Sequence, residues 1–247
     1  VSIIENIIKQ HLDSIQNEKK LKPELTNNET LNTPPHLIWL WYFAASHFDQ
    51  IRDLESALDN INKAIDSTPT VVDFYVLKSK IFKHGGMLEE SSKAYEKAKK
   101  LDLGDRFLNA KFAKTQVRNG KTAESLETMK EFIRDPLSDE NIEHTQCMWY
   151  ESESGFAYLQ KGEILKAHRL FKMIFNHFNA LIEDQFDFYN YCLRRFMVND
   201  FANTIEYMDR ILDNKYVYIA LEAFEVILKY LKANGESVQK KVIIFNN

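Results

Sequence analysis

Apolar residues recur along this chain at intervals of three and four, the spacing of one face of an α-helix. No segment sustains the alternation of a half-buried strand with hairpin turn signals at its ends. The helical stretches group into pairs that fit a helix–turn–helix repeat of about 34 residues, which asks for large or small apolar side chains at fixed places and proline near its end. Counted from Ile38, those places hold Trp41, Ala44, Ala45, Phe48, Ala57, Ile61, Ala64 and Pro69. Counted from Val72 they hold Tyr75, Lys78, Ser79, Phe82, Ser91, Tyr95 and Ala98, with Gly86 at the turn between the helices. A looser window from Arg106 gives Phe112, Ala113, Ser125, Met129 and Phe132, with Gly120 at the turn. After an insertion, a window from Met148 gives Gly155, Tyr158, Ala167, Phe171 and Ile174, with Gly162 at the turn. A fifth pair over about 186–213 keeps the apolar spacing but lacks the small residues, and 216–232 reads as a further amphipathic helix.

Packing explains why the repeat needs these residue types. Small residues at the eighth and twentieth places let paired helices approach closely, and aromatic side chains fill the space beside them. Gly155 is the clearest case, because a glycine inside a helix costs ~1 kcal/mol relative to alanine and needs a packing reason. One pair cannot bury its own apolar face, so neighbouring pairs must stack. The expected fold is therefore all-α, a tetratricopeptide-repeat superhelix (an α-solenoid) of about twelve antiparallel paired helices. The expected organisation is the end of a preceding repeat helix at 1–16, a polar loop at 17–36, repeats at 37–213, a further helix at 214–233 and an unassigned tail at 234–247.

Composition narrows this picture without changing it. The 247 residues are 45% hydrophobic and 28% charged, ordinary for a folded chain, and a net charge of −4 gives no surface-wide nucleic-acid footprint. All five prolines fall between helical patterns. Cys147 and Cys192 form no CxxC motif, as expected of reduced thiols inside a cell. No apolar run reaches the ~18 residues of a membrane span. The chain opens at Val1 inside a helical pattern and is expected to be an internal segment of a longer protein.

Catalytic and metal chemistry has no motif here. The seven histidines are scattered, with no HExxH and no ligand spacing, and there is no GxSxG, Walker or GxGxxG element. Acidic residues mostly lie a helical turn from lysines, as in Glu89/Lys93 and Glu96/Lys100, the pattern of solvated pairs. One group of charges differs. Lys80 and Lys83 share a face of one first helix; Lys111 and Lys114 are spaced alike on the next, with Arg106 and Arg118 near its ends. In this repeat class the second, fifth, ninth, twelfth and thirteenth residues of the first helix face the concave groove. Lys80, Lys83, Lys114 and Arg118 hold such places and are expected to converge, with Lys111 and Arg106 on the same helix as the last two. Convergent like charges repel, and an anion that neutralises them offsets that cost. A row of solvated lysines covering the helix surface is the other reading of the same spacing.

Several blocks carry a more specific likeness. PPHLIWLWYFAASHFD (34–49), AIDSTPT (64–70), KSKIFKHGG (78–86), DRFLNAKFAK (105–114), QCMWY (146–150) and EDQFDFYNYCLRR (183–195) resemble the auxiliary subunit of the NatA N-terminal acetyltransferase complex. The likeness runs from about Pro34 to about Lys232, and 234–247 has no counterpart in it. QCMW and DQFDF are foreign to the general repeat. The resemblance implies a non-catalytic, cytoplasmic scaffold that wraps a catalytic acetyltransferase subunit and, through the full-length protein, reaches the ribosome. No membrane and no direct nucleic-acid partner follow from it. It also implies inositol hexakisphosphate at the subunit interface, held by Lys80, Lys83, Lys111 and Lys114. Ser79, Phe82 and Ala110 depart from the family's usual Ala, Tyr and Ser. A general tetratricopeptide adaptor gripping an acidic or C-terminal peptide in its groove is the alternative function.

Overall fold

A computed structural model describes residues 2–21, 35–133, 142 and 144–234. Twelve α-helices occur among the described residues, with one 3-10 turn and no strand. The chain forms two compact units, 1–119 and 120–247.

The first unit holds α1 (Ser2–Leu21), α2 (Pro35–Gln50), α3 (Leu54–Ser67), α4 (Val72–His84), α5 (Leu88–Leu101) and α6 (Arg106–Arg118). Helix α1 runs five residues past the boundary expected at 16, and α2 begins at Pro35 rather than 37. Proline opens α2 readily, since the first helical residue needs no N–H partner. The remainder of the expected polar loop, 22–34, lies outside the described residues. Pairs α2/α3 and α4/α5 pack within themselves, and α5 also packs on α6.

The small residues behave as the repeat demands. Ala45, Ala57, Ser79, Ser91 and Ala113 are all fully buried. Where α2/α3 sets alanine against alanine, α4/α5 sets serine against serine. Ser79 Oγ lies 2.8 Å from Ser91 Oγ and donates to the Ser91 carbonyl, so neither hydroxyl is buried unpaired. Around these contacts Ile61, Phe74, Leu77 and Ile81 form one core, and Val76, Tyr95, Ala98 and Leu108 a second.

Four turns inside the pairs share one hydrogen-bond pattern. After α4, Gly86 sits at φ 77° and donates to the Lys83 carbonyl, and Met87 donates to Phe82. This six-to-one, five-to-two pairing closes a helix with one left-handed residue. The same pattern recurs at Arg52/Asp53 after α2, and in the second unit at Gly162/Glu163 and Phe196/Met197. Arg52 and Phe196 therefore hold a backbone conformation that glycine supplies in the other turns.

The second unit holds α7 (Thr122–Lys130), α8 (Met148–Gln160), α9 (Ile164–Glu183), α10 (Gln185–Arg194), α11 (Val198–Asp209), a 3-10 turn (Ile211–Asp213) and α12 (Lys215–Ala233). Phe132, expected on the second helix of the third pair, lies in the turn after α7. A helix carried on to Pro136 would leave a carbonyl without its donor. The unit's core is α9 against α12: Ala167, Phe171, Ile174 and Phe178 pack with Val217, Ala220, Ala223 and Ile227. Pair α10/α11 contributes little to it. Cys192 is the one buried residue of α10, and α11 has none. Two buried alanines let α12 come close to α9, whereas the one alanine of α10/α11, Ala202, is exposed. The tail from 235 lies outside the described residues.

Candidate anion site

Three side-chain ties fix the helices that carry the cations. Asp105 caps α6 by accepting from the Phe107 N–H at 2.7 Å. At the other end of α6, Asn119 donates to the Leu88 carbonyl at 3.1 Å, joining it to the start of α5. Lys78 reaches Asn62 of α3 at 2.6 Å, which anchors α4.

On this frame Lys80, Lys83, Lys111 and Lys114 do come together. Lys111 is half-buried, and its proton affinity is pushed down first by that burial and then by the charges of Lys114, Lys80, Lys83 and Arg118. All four neighbours act in the same direction, which is the electrostatic mark of convergent cations. Lys111 Nζ also lies 5.2 Å from the Phe107 ring centre. Lysines elsewhere behave differently: Lys63, Lys93 and Lys100 each close on a carboxylate of their own helix at 2.6 Å. Lys93 pairs with Glu90 rather than with Glu89. Lys83 and Arg118 stand in the last turns of α4 and α6, where the helix carbonyls favour a cation and offset part of the repulsion.

Arg106 is exposed at the first position of α6, about 18 Å along the helix from Arg118 at 1.5 Å per residue. Arg118 is the arginine whose charge bears on Lys111. Sequence reasoning placed Arg118 on this face but left His84 among the scattered histidines. His84 follows Lys80 by one helical turn and holds the thirteenth place of its repeat, the place Arg118 holds in the next. Its Nδ1 lies 2.8 and 2.9 Å from the two carboxylate oxygens of Asp49 on α2. The register that placed the lysines would have found it.

The depressed proton affinity of Lys111 has a measurable consequence. Folding disfavours its charged form relative to the unfolded chain, so the cost is present at neutral pH and fades as pH rises through the lysine range. Lys111→Met should therefore stabilise the anion-free chain at pH 7, by less than ~1 kcal/mol given partial solvent screening. The gain should shrink in high salt; a melting temperature lowered in low salt would contradict the convergence.

Comparison with known proteins decides the family. A family profile described as N-terminal acetyltransferase A, auxiliary subunit, matches residues 1–242. The chain belongs to this family. The match extends beyond both ends of the likeness visible in the motifs. The human N-alpha-acetyltransferase 16, NatA auxiliary subunit, is 34% identical over 246 residues, covering 98% of this chain and 28% of the relative. The Arabidopsis thaliana N-terminal acetyltransferase A complex auxiliary subunit NAA15 is 33% identical over 199 residues, covering 81% of this chain and 22% of the relative. The chain thus spans about a quarter of the length of these relatives. A solved structure of Naa15/Naa10 bound to HypK-THB aligns with a TM-score of 0.72 and 31% identity, covering 80% of this chain and 30% of that one. With the paired helices and their buried small residues, this likeness bears out the tetratricopeptide-type helical fold expected from the repeat windows.

Proposed function

We propose that this chain is part of a non-catalytic scaffold that holds the catalytic subunit of an N-terminal acetyltransferase for co-translational acetylation of nascent chains in the cytoplasm. Catalysis belongs to the partner in this reading, and the ribosome is reached through the full-length protein. Membership of the auxiliary-subunit family supports the reading, as does the likeness to a protein solved as Naa15/Naa10. The observation that carries it is the convergence of Lys80, Lys83, Lys114 and Arg118 on Lys111, in a chain whose net charge is negative. Such a cluster suits a compact polyanion, and inositol hexakisphosphate at the subunit interface fits it. Bound there, it would neutralise the repelling cations and leave further phosphates for a partner's basic residues.

The test is calorimetry of inositol hexakisphosphate binding to the 247-residue chain in low salt, together with co-purification with the small acetyltransferase subunit. Changing Lys80 and Lys114 together to Glu should abolish anion binding and loosen the complex. Changing Lys93 and Lys97 on α5 to Glu should do neither. A ligand that binds only the folded chain should also raise its stability, by ~2.7 kcal/mol at a hundredfold excess over Kd. Equal losses from the two double variants would mean diffuse attraction and would remove the site.

A further inference from the structure

We infer that Asp49 is a positioning residue for the anion site, holding the His84 ring by Nδ1 so that the opposite nitrogen is offered on the face that carries Lys80. The inference rests on the polyanion reading above. A carboxylate is the wrong charge for the edge of a basic cluster, and by simple attraction Asp49 should weaken anion binding. Its surroundings argue otherwise. Asp49 is 9% exposed, in the last turn of α2, and both of its oxygens face one nitrogen of one ring. A carboxylate can only accept, so Nδ1 donates to it, and in the imidazolium form the Nε2 N–H, across the ring, is left to donate to an anion. The His84 side chain keeps 30% exposure while that of Asp49 keeps 11%, so the ring lies on the solvent side of the carboxylate. His84 also ends α4 one turn beyond Lys80 and next to Lys83. Asp49 thus spends its charge on orienting a sixth basic side chain beside Lys80, Lys83, Lys111, Lys114 and Arg118. A carboxylate that orients a histidine through the nitrogen not used for ligand contact serves the same end in metal sites.

The experiment reads the sign of one substitution. Inositol hexakisphosphate is titrated calorimetrically into the 247-residue chain in low salt, with Lys80→Glu/Lys114→Glu as the reference for a lost site. Asp49→Asn should weaken binding about tenfold, the worth of one hydrogen bond to a charged group, although it removes a negative charge. Asp49→Glu should recover part of that loss. In a His84→Ala background, Asp49→Asn should no longer weaken binding, because the residue acts only through the ring. Unchanged or tighter binding by Asp49→Asn, with the lysine reference still lost, overturns the inference and leaves the anion site standing. Binding that survives in the lysine reference overturns the site reading itself. Circular dichroism checks that Asp49→Asn retains its helices. Should it fail to fold, His84→Phe, which keeps the ring volume without nitrogens, takes its place: about tenfold weaker binding is expected, and unchanged affinity overturns the inference.

Discussion

Gly155→Leu should lower the stability of the chain by ~3 kcal/mol, near the top of the range for overpacked cores. A Cβ alone at this position would lie 2.7 Å from Phe171 Cζ and 2.8 Å from Cε2. The ring has little freedom to yield. Phe171 is fully buried and meets Phe156 edge-on at 5.3 Å, in a core completed by α12. A leucine would have to displace the ring and reopen the contact between α8 and α9. Gly155→Ala should be far milder, because the ~1 kcal/mol gained in helix propensity offsets part of the clash. Urea unfolding of the three proteins would test this order. An unchanged midpoint for Gly155→Leu would mean that Gly155 does not face the second helix of its pair.

Glu151→Ala should cost a similar ~3 kcal/mol, for a different reason. Glu151 is 1% exposed on α8, and its Oε1 lies 2.6 Å from His177 Nε2 on α9. Truncation leaves the imidazole, itself in a side chain only 10% exposed, without that partner, and adds a cavity. Glu151→Gln keeps a hydrogen-bonding group at the same reach and should cost about half as much. Denaturant midpoints of both variants provide the check. Equal small losses would show that the pair contributes no more than a surface contact.

These two sites mark where the sequence was legible and where it was not. Gly155 could be found from the repeat register, because only a close helix approach justifies a glycine inside a helix. Glu151 could not be found so directly. It occupies the fourth place of its repeat, where Trp41 and Tyr75 stand in others, and no rule of helical spacing supplies a partner 26 residues away. Asn109, also buried, fills the same place in the third repeat. A polar residue at an aromatic place was the available signal. The lysine convergence was readable because repeats translate register into position. His84 shared the face that register selects without being a lysine. The peripheral standing of α10/α11 was visible only as the scarcity of small residues, Ala202 being the one alanine and no serine being present. That α12 would take the place against α9 depends on contacts that are distant in sequence.

The shared turn geometry bears on how such a chain folds as it is made. Pairs α2/α3, α4/α5 and α8/α9 are each joined by three residues, so their closest contacts are local and loop closure costs little entropy. Local contacts of this kind form fast. Each pair can therefore close once its second helix has been synthesised, before the next repeat exists, and offer a partly apolar face as the template for the next helix. In such a chain, growth from one end sets the order of assembly.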